Sequence, residues 1–190
     1  MRAFIAIELP SGLTQAIKRL QAGLAGILLM NKDIAWAKPE NIHLTIKFLG
    51  DIEEGMVPVV AAALNKASAG IGPFTLIAKG VGMFPDEKKP RVLWVGISQC
   101  PPLKRLWSGI EDGLNGLGFG REEREFSPHL TLCRIKSPAA GRAVAAAVAG
   151  GRPGIDMDFR VDSFVLFKSD LSSKGARYTE LKRIALTESA

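Results

Sequence analysis

His43-Leu44-Thr45-Ile46 and His129-Leu130-Thr131-Leu132 hold the only two histidines of a 190-residue chain, and both stand in the same local setting. On a strand successive side chains point to opposite faces, so each histidine shares a face with the threonine two residues on. Leu44 with Ile46, and Leu130 with Leu132, point the other way, into a core. An anchored strand of this kind presents an imidazole and a hydroxyl to one cleft, and two such strands present two of each.

Working outward from the two motifs, strands and helices alternate in two similar halves. Arg2 to Glu8 is predicted as a first strand, and Pro10-Ser11 starts an amphipathic helix with Leu13, Ile17, Leu20 and Leu24 at helical spacing. A short piece with Trp36 leads into a strand from Ile42 to Leu49, stopped by Gly50. Met56 to Ala69 reads as helix, with Pro58 tolerated in its first turn. Phe74 to Met83 and Arg91 to Ser98 read as a hairpin with a long connection. In the second half a helix follows Pro101-Pro102 to about Leu117, and His129 to Ile135 is a strand. Ser137-Pro138 caps an alanine-rich helix, and Ile155 to Lys168 and Arg177 to Leu186 give two further strands. The expectation is a duplicated α+β lobe whose motifs face each other across the interface, in one body over residues 1–190.

A hydrophobic fraction of 47% beside 23% charged residues suits a folded globular chain and excludes extensive disorder. No apolar run approaches the length that spans a bilayer, and Glu8 and Pro10 end the opening one too early for a signal peptide. Two cysteines with no CxxC exclude a disulfide framework and fit a cytoplasmic setting. A net charge of +6 favours polyanionic partners such as RNA.

Two imidazoles with pKa values of about 6.5 supply one base and one acid at neutral pH. In-line displacement at phosphorus needs both: one group deprotonates the nucleophile and the other protonates the leaving oxygen. Threonine hydroxyls on the same faces donate to the non-bridging oxygens, where charge accumulates. This division of labour needs no metal, and the chain has no HExxH, no aspartate-rich cluster and no P-loop. A single HxT marks a hydrogen-bonded, partly buried imidazole more often than a catalyst. Duplication at matching places, with no histidine elsewhere, reverses that. Zinc held by two histidines with carboxylates or Cys133, and Cys133 as a nucleophile, are the rival chemistries. Cys133 has the parity of His129 and Thr131, but nothing stabilises its thiolate, so it reads as a small filler.

The phrases Trp36-Ala37-Lys38-Pro39-Glu40-Asn41-Ile42-His43-Leu44-Thr45-Ile46-Lys47-Phe48-Leu49-Gly50 and Phe126-Ser127-Pro128-His129-Leu130-Thr131-Leu132-Cys133-Arg134 resemble the two signatures of the two-histidine phosphoesterase superfamily. Within it the chain resembles the RNA 2',3'-cyclic phosphodiesterases, also called 2'-5' RNA ligases. Phe4-Ile5-Ala6-Ile7, Arg91-Val92-Leu93-Trp94-Val95-Gly96 and the stretch from Phe167 to Tyr178, with Ser169, Leu171 and Gly175, share in the resemblance.

That resemblance implies a bilobal fold in which two antiparallel sheets line a central cleft and helices cover the outside. It implies hydrolysis of RNA 2',3'-cyclic phosphate ends to 2'-phosphomonoesters without a cofactor; a monomer is expected. His43 would be the proton donor to the 3' oxygen and His129 the proton acceptor from water. Thr45 and Thr131 would hold the phosphoryl oxygens, with Arg134 as a further phosphate contact. Arg134 has the wrong strand parity for this and needs a bulge, a strand end or a bent side chain to reach the cleft. Trp36 and Phe84 are candidates for stacking on a base or for packing, and Lys47 for a phosphate contact or a solvated charge. The alternatives are 2'-5' ligation, hydrolysis of small cyclic-phosphate nucleotides, and a non-catalytic module that binds RNA ends.

Overall fold

The computed structural model describes residues 1–29, 31–98, 100–150, 154–172 and 175–188. In chain order the elements are β1 (Arg2–Glu8), α1 (Ser11–Ile27), β2 (Ile34–Trp36), β3 (His43–Asp51), α2 (Val57–Ser68), β4 (Phe74–Phe84), β5 (Val92–Ile97), α3 (Pro101–Asn115), β6 (His129–Ile135), α4 (Pro138–Gly150), β7 (Asp156–Val161), β8 (Ser163–Ser172) and β9 (Gly175–Ala185). Among the described residues no helix is long and apolar enough to cross a membrane.

The strands form two sheets, ordered β3-β1-β8-β9 and β2-β6-β5-β4-β7, with every described pairing antiparallel. Laying the first order on β6-β5-β4-β7 matches the two histidine strands and matches β1 with β5. The second copy of the repeat therefore begins at β5, one strand earlier than the rhythm of the sequence suggests. Neither sheet belongs to one half of the chain: the first joins β1 and β3 to β8 and β9, and the second joins β4 and β5 to β6 and β7. This exchange binds the halves together without a linker.

Three other expectations change. Gly50 does not end β3: it sits inside the strand at φ 72°, opposite Ala3, where the register slips between Ala3 and Phe4. Positive φ is what glycine is needed for in such a bulge. The predicted strand from Ile155 to Lys168 is two strands in different sheets, parted at Asp162. The short piece at Trp36 is a strand in its own right, paired with β6.

The helices carry the apolar stripes their spacing predicts. Leu13, Ile17, Leu20 and Leu24 of α1 are buried, and so are Leu103, Leu106, Ile110 and Leu114 of α3. The Ser137 hydroxyl accepts a hydrogen bond from the Ala140 amide at 3.3 Å, capping α4 as expected. One continuous core runs beneath both sheets and holds residues from all four helices. On the other face of the first sheet Phe4, Ala6, Val165 and Phe167 form a separate apolar floor, against which Tyr178 packs.

Candidate active site

Both histidine strands follow the period of two as far as the threonine. Leu44 and Leu130 are fully buried, whereas His43, Thr45, His129 and Thr131 are partly open. Beyond the threonine the period breaks in both strands. Opposite β1 the register slips between Ile5 and Ala6, and opposite β5 it slips between Leu93 and Trp94. Two consecutive residues are then buried in each strand, Ile46 with Lys47 and Leu132 with Cys133. A bulge inserts one residue and reverses the faces that follow.

This reversal settles three side chains. Arg134 emerges on the cleft face, because the bulge it required is present. Cys133 turns into the core, where burial pushes its thiol up to about 11, so it is no nucleophile at neutral pH. Lys47 is neither solvated nor in the cleft. It is buried, and its Nζ donates to both carboxylate oxygens of Glu111, at 2.8 and 2.7 Å, and to the Gly120 carbonyl at 2.8 Å.

Glu111 lies ten residues into α3, and Gln21 lies equally far into α1. Both are buried. The Gln21 Nε2 donates to the carbonyls of Ala37 at 2.9 Å and Leu132 at 3.0 Å. Each bulge is thus gripped from behind by a polar side chain of a helix, and in both cases the helix comes from the other copy.

A cleft of about 600 Å³ collects the outcome. His43, Thr45, His129, Thr131 and Arg134 all line it, so the five residues singled out in the sequence are brought together. His43 Nδ1 lies 2.9 Å from the Asn41 carbonyl and His129 Nδ1 lies 2.7 Å from the Ser127 carbonyl. A carbonyl only accepts, so Nδ1 carries the hydrogen in both rings and Nε2 is left to exchange a proton. Neither threonine hydroxyl has a partner among the described residues, which leaves both free to donate to a ligand.

Aromatic rings fix each imidazole. His43 stacks on Phe4, with centroids 4.7 Å apart, and meets Tyr178 edge-on at 5.2 Å. His129 meets Phe84 edge-on at 5.0 Å and lies 6.3 Å from Trp94. Trp94 rests on Gly82, where a β-carbon would come within 2.2 Å of the indole. Burial in this setting pulls the His43 pKa from 6.5 down to about 4, against the opposing pull of the Asn41 carbonyl and the Glu8 charge. Burial also raises the pKa of Tyr178, opposed by the charge of Arg134, so the phenol stays protonated at neutral pH.

Sequence reasoning did not single out Asn41, Ser127, Phe4, Phe48 or Tyr178 as site residues. The two carbonyl partners carried a signal, since each stands two residues before its histidine. Trp36 is partly buried against the core, and Phe84 is held against His129 and Trp94. No group of three or more histidine, cysteine, aspartate or glutamate side chains suited to a metal ion occurs among the described residues.

The family model for LigT-like phosphoesterases matches this chain twice in succession, over residues 7–94 and 95–178. The chain belongs to the LigT-like phosphoesterase family. The junction between the matches falls inside β5, where the sheet orders start the second copy. Among the relatives of this LigT-like phosphoesterase is a protein of Methanothermobacter thermautotrophicus named RNA 2',3'-cyclic phosphodiesterase, 31% identical over 96% of this chain and 97% of its own. One of the same name from Aquifex aeolicus is 31% identical over 98% and 97%. Among solved structures, a protein of Thermus thermophilus superposes with a TM-score of 0.82 at 28% identity, covering all of both chains. Escherichia coli LigT complexed with 3'-AMP gives a TM-score of 0.78 at 26% identity over 98% of each.

Proposed function

We propose that this phosphoesterase opens the 2',3'-cyclic phosphate ends of RNA to 2'-phosphomonoesters through a two-histidine acid–base displacement. One observation carries the reading: two imidazoles from corresponding strands line one cleft, each with Nδ1 committed to a main-chain carbonyl and Nε2 free. The relatives named RNA 2',3'-cyclic phosphodiesterase support the substrate. His129 Nε2 takes a proton from water as the water oxygen bonds to phosphorus, the bond to the 3' oxygen breaks, and His43 Nε2 protonates that oxygen. Thr45 and Thr131 donate to the non-bridging oxygens, and Arg134 adds a positive charge beside them. The core shared by both sheets supports treating residues 1–190 as one bilobal domain. Two free thiols, Cys100 and Cys133, accord with a cytoplasmic setting.

The decisive experiment incubates the protein with an RNA oligonucleotide ending in a 2',3'-cyclic phosphate, in excess EDTA, and maps the product ends. A 2'-phosphate with a free 3' hydroxyl is expected. Tight binding of ends that stay unchanged from pH 5 to 9 would make the protein a binding module instead.

In this reading His43 donates a proton that burial alone does not let the ring hold at neutral pH, since it lowers the pKa to about 4. A phosphate anion beside the ring favours the imidazolium and raises that pKa. By reciprocity, anion binding takes up a proton and tightens as pH falls towards 4. Observed by NMR, the His43 ring protons are expected to titrate near pH 4 in the free protein and higher with inorganic phosphate. A free-protein midpoint near 6.5 would remove the burial argument.

Arg134→Ala is expected to lower kcat/KM about ten-fold or more, the cost of losing a hydrogen bond to a charged group. It also flattens the salt dependence, because one phosphate contact fewer releases fewer counterions. An unchanged salt slope would place Arg134 off the substrate.

A further inference from the structure

The two bulges put one residue on the cleft face at the same distance from each histidine: Arg134 after His129, and Phe48 after His43. The repeat has therefore made one wall cationic and the other aromatic. Phe48 is 70% exposed, an unfavourable place for a phenyl ring unless something covers it. Leu171 of β8 is 63% exposed and lines the same cleft. The other exposed large hydrophobics among the described residues, Ile27, Leu29, Val59 and Ile77, do not line it.

We infer that Phe48 forms a stacking subsite for the base of the nucleotide that carries the cyclic phosphate. The inference rests on the phosphodiesterase reading above and deepens it. Two ring steps lead from the subsite to the chemistry. The Phe48 and Phe4 centroids are 6.1 Å apart, and the Phe4 and His43 centroids are 4.7 Å apart. That path is short enough for one nucleotide to span, phosphate at the histidines and base on Phe48. Arg2 lines this end of the cleft as well and offers positive charge to the phosphate on the 5' side. An exposed ring in a cleft that two arginines also line suits a nucleobase on an anionic backbone, whose flat face stacks whatever its sequence.

The test compares adenosine 2',3'-cyclic phosphate with the base-free 2',3'-cyclic phosphate of 1-O-methylribose. Phe48→Ala is expected to reduce the ratio of their kcat/KM values about ten-fold or more, as loss of base–aromatic stacking does. Most of the effect lies in KM, and Phe48→Trp restores the ratio. A ratio unchanged in Phe48→Ala would overturn the subsite. Phe48 is exposed, so the variant is expected to keep the parent melting temperature. Should the protein open neither compound, the phosphodiesterase reading fails by itself. Calorimetric affinities for adenosine 3'-monophosphate and ribose 3-phosphate then decide the subsite: selective loss of nucleotide binding in Phe48→Ala upholds it, and equal affinities with the parent reject it.

Discussion

Replacing His129 by alanine is expected to lower kcat/KM on cyclic-phosphate RNA by roughly 10²–10⁴-fold, the typical contribution of one positioned acid–base group. His43→Ala is expected to fall in the same range. The double variant should be little worse than either single one, because acid and base act in one displacement and a missing partner idles the other. A double loss equal to the product of the single losses would mean the rings act in separate steps. His129 is the cleaner probe. His43 is packed between Phe4 and Tyr178, so its truncation also loosens the apolar floor of the first sheet. His129→Asn keeps a polar group that can still reach the Ser127 carbonyl, and separates loss of proton transfer from loss of shape. A His129 variant within two-fold of the parent rate removes that ring from the mechanism. Affinity for inorganic phosphate should change far less than the rate, since Thr45, Thr131 and Arg134 still face the anion.

The site was legible where its chemistry is local. A histidine and a threonine two apart on a strand share a face whatever the strand pairs with, so the four central residues could be read from spacing alone. The period of two was misleading beyond the threonines. Lys47 has the parity of His43 and lies in the core; Arg134, named as a phosphate contact against its parity, lines the cleft. The cause is one inserted residue in each strand, and nothing within β3 or β6 announces it. Its visible cause lies behind the strands, in Gln21 and Glu111, buried polar residues at matching positions of α1 and α3. A polar residue within an otherwise apolar helical stripe was the available clue. Sheet composition was not legible at all. Period and turn signals define a strand, but they carry no information about its partner, and here β8 pairs with β1 across most of the chain. Asp162 shows the same limit, because a run of strand-forming residues gives no sign that the chain leaves one sheet for the other.

The buried pair behind β3 leads to the largest expected change in stability. Lys47 and Glu111 side chains are 5% and 4% exposed, and the ammonium group has three acceptors for its three hydrogens. Glu111 also accepts the Glu122 amide at 3.1 Å. Glu111→Ala strands a buried positive charge, which costs about 3–5 kcal/mol in comparable sites. In a chain of this size that lowers the melting temperature by roughly 6–20 °C. Lys47→Met combined with Glu111→Leu removes both charges and fills their space, and such exchanges are often neutral or stabilising. The double variant is therefore expected to melt near the parent. Activity should not return with it. Lys47 and Glu111 tie the back of the His43 strand to the main chain at Gly120 and Glu122, in the segment that leads to His129. Without those ties the two histidine strands lose a shared anchor. Proton transfer between fixed groups falls steeply with misplacement of about 1 Å. Thermal melts and kcat/KM on the single and double variants separate the two effects. A double variant with parent stability and parent activity would reduce the pair to a stabilising contact, and a Glu111→Ala protein melting within about 2 °C of the parent would deny it even that.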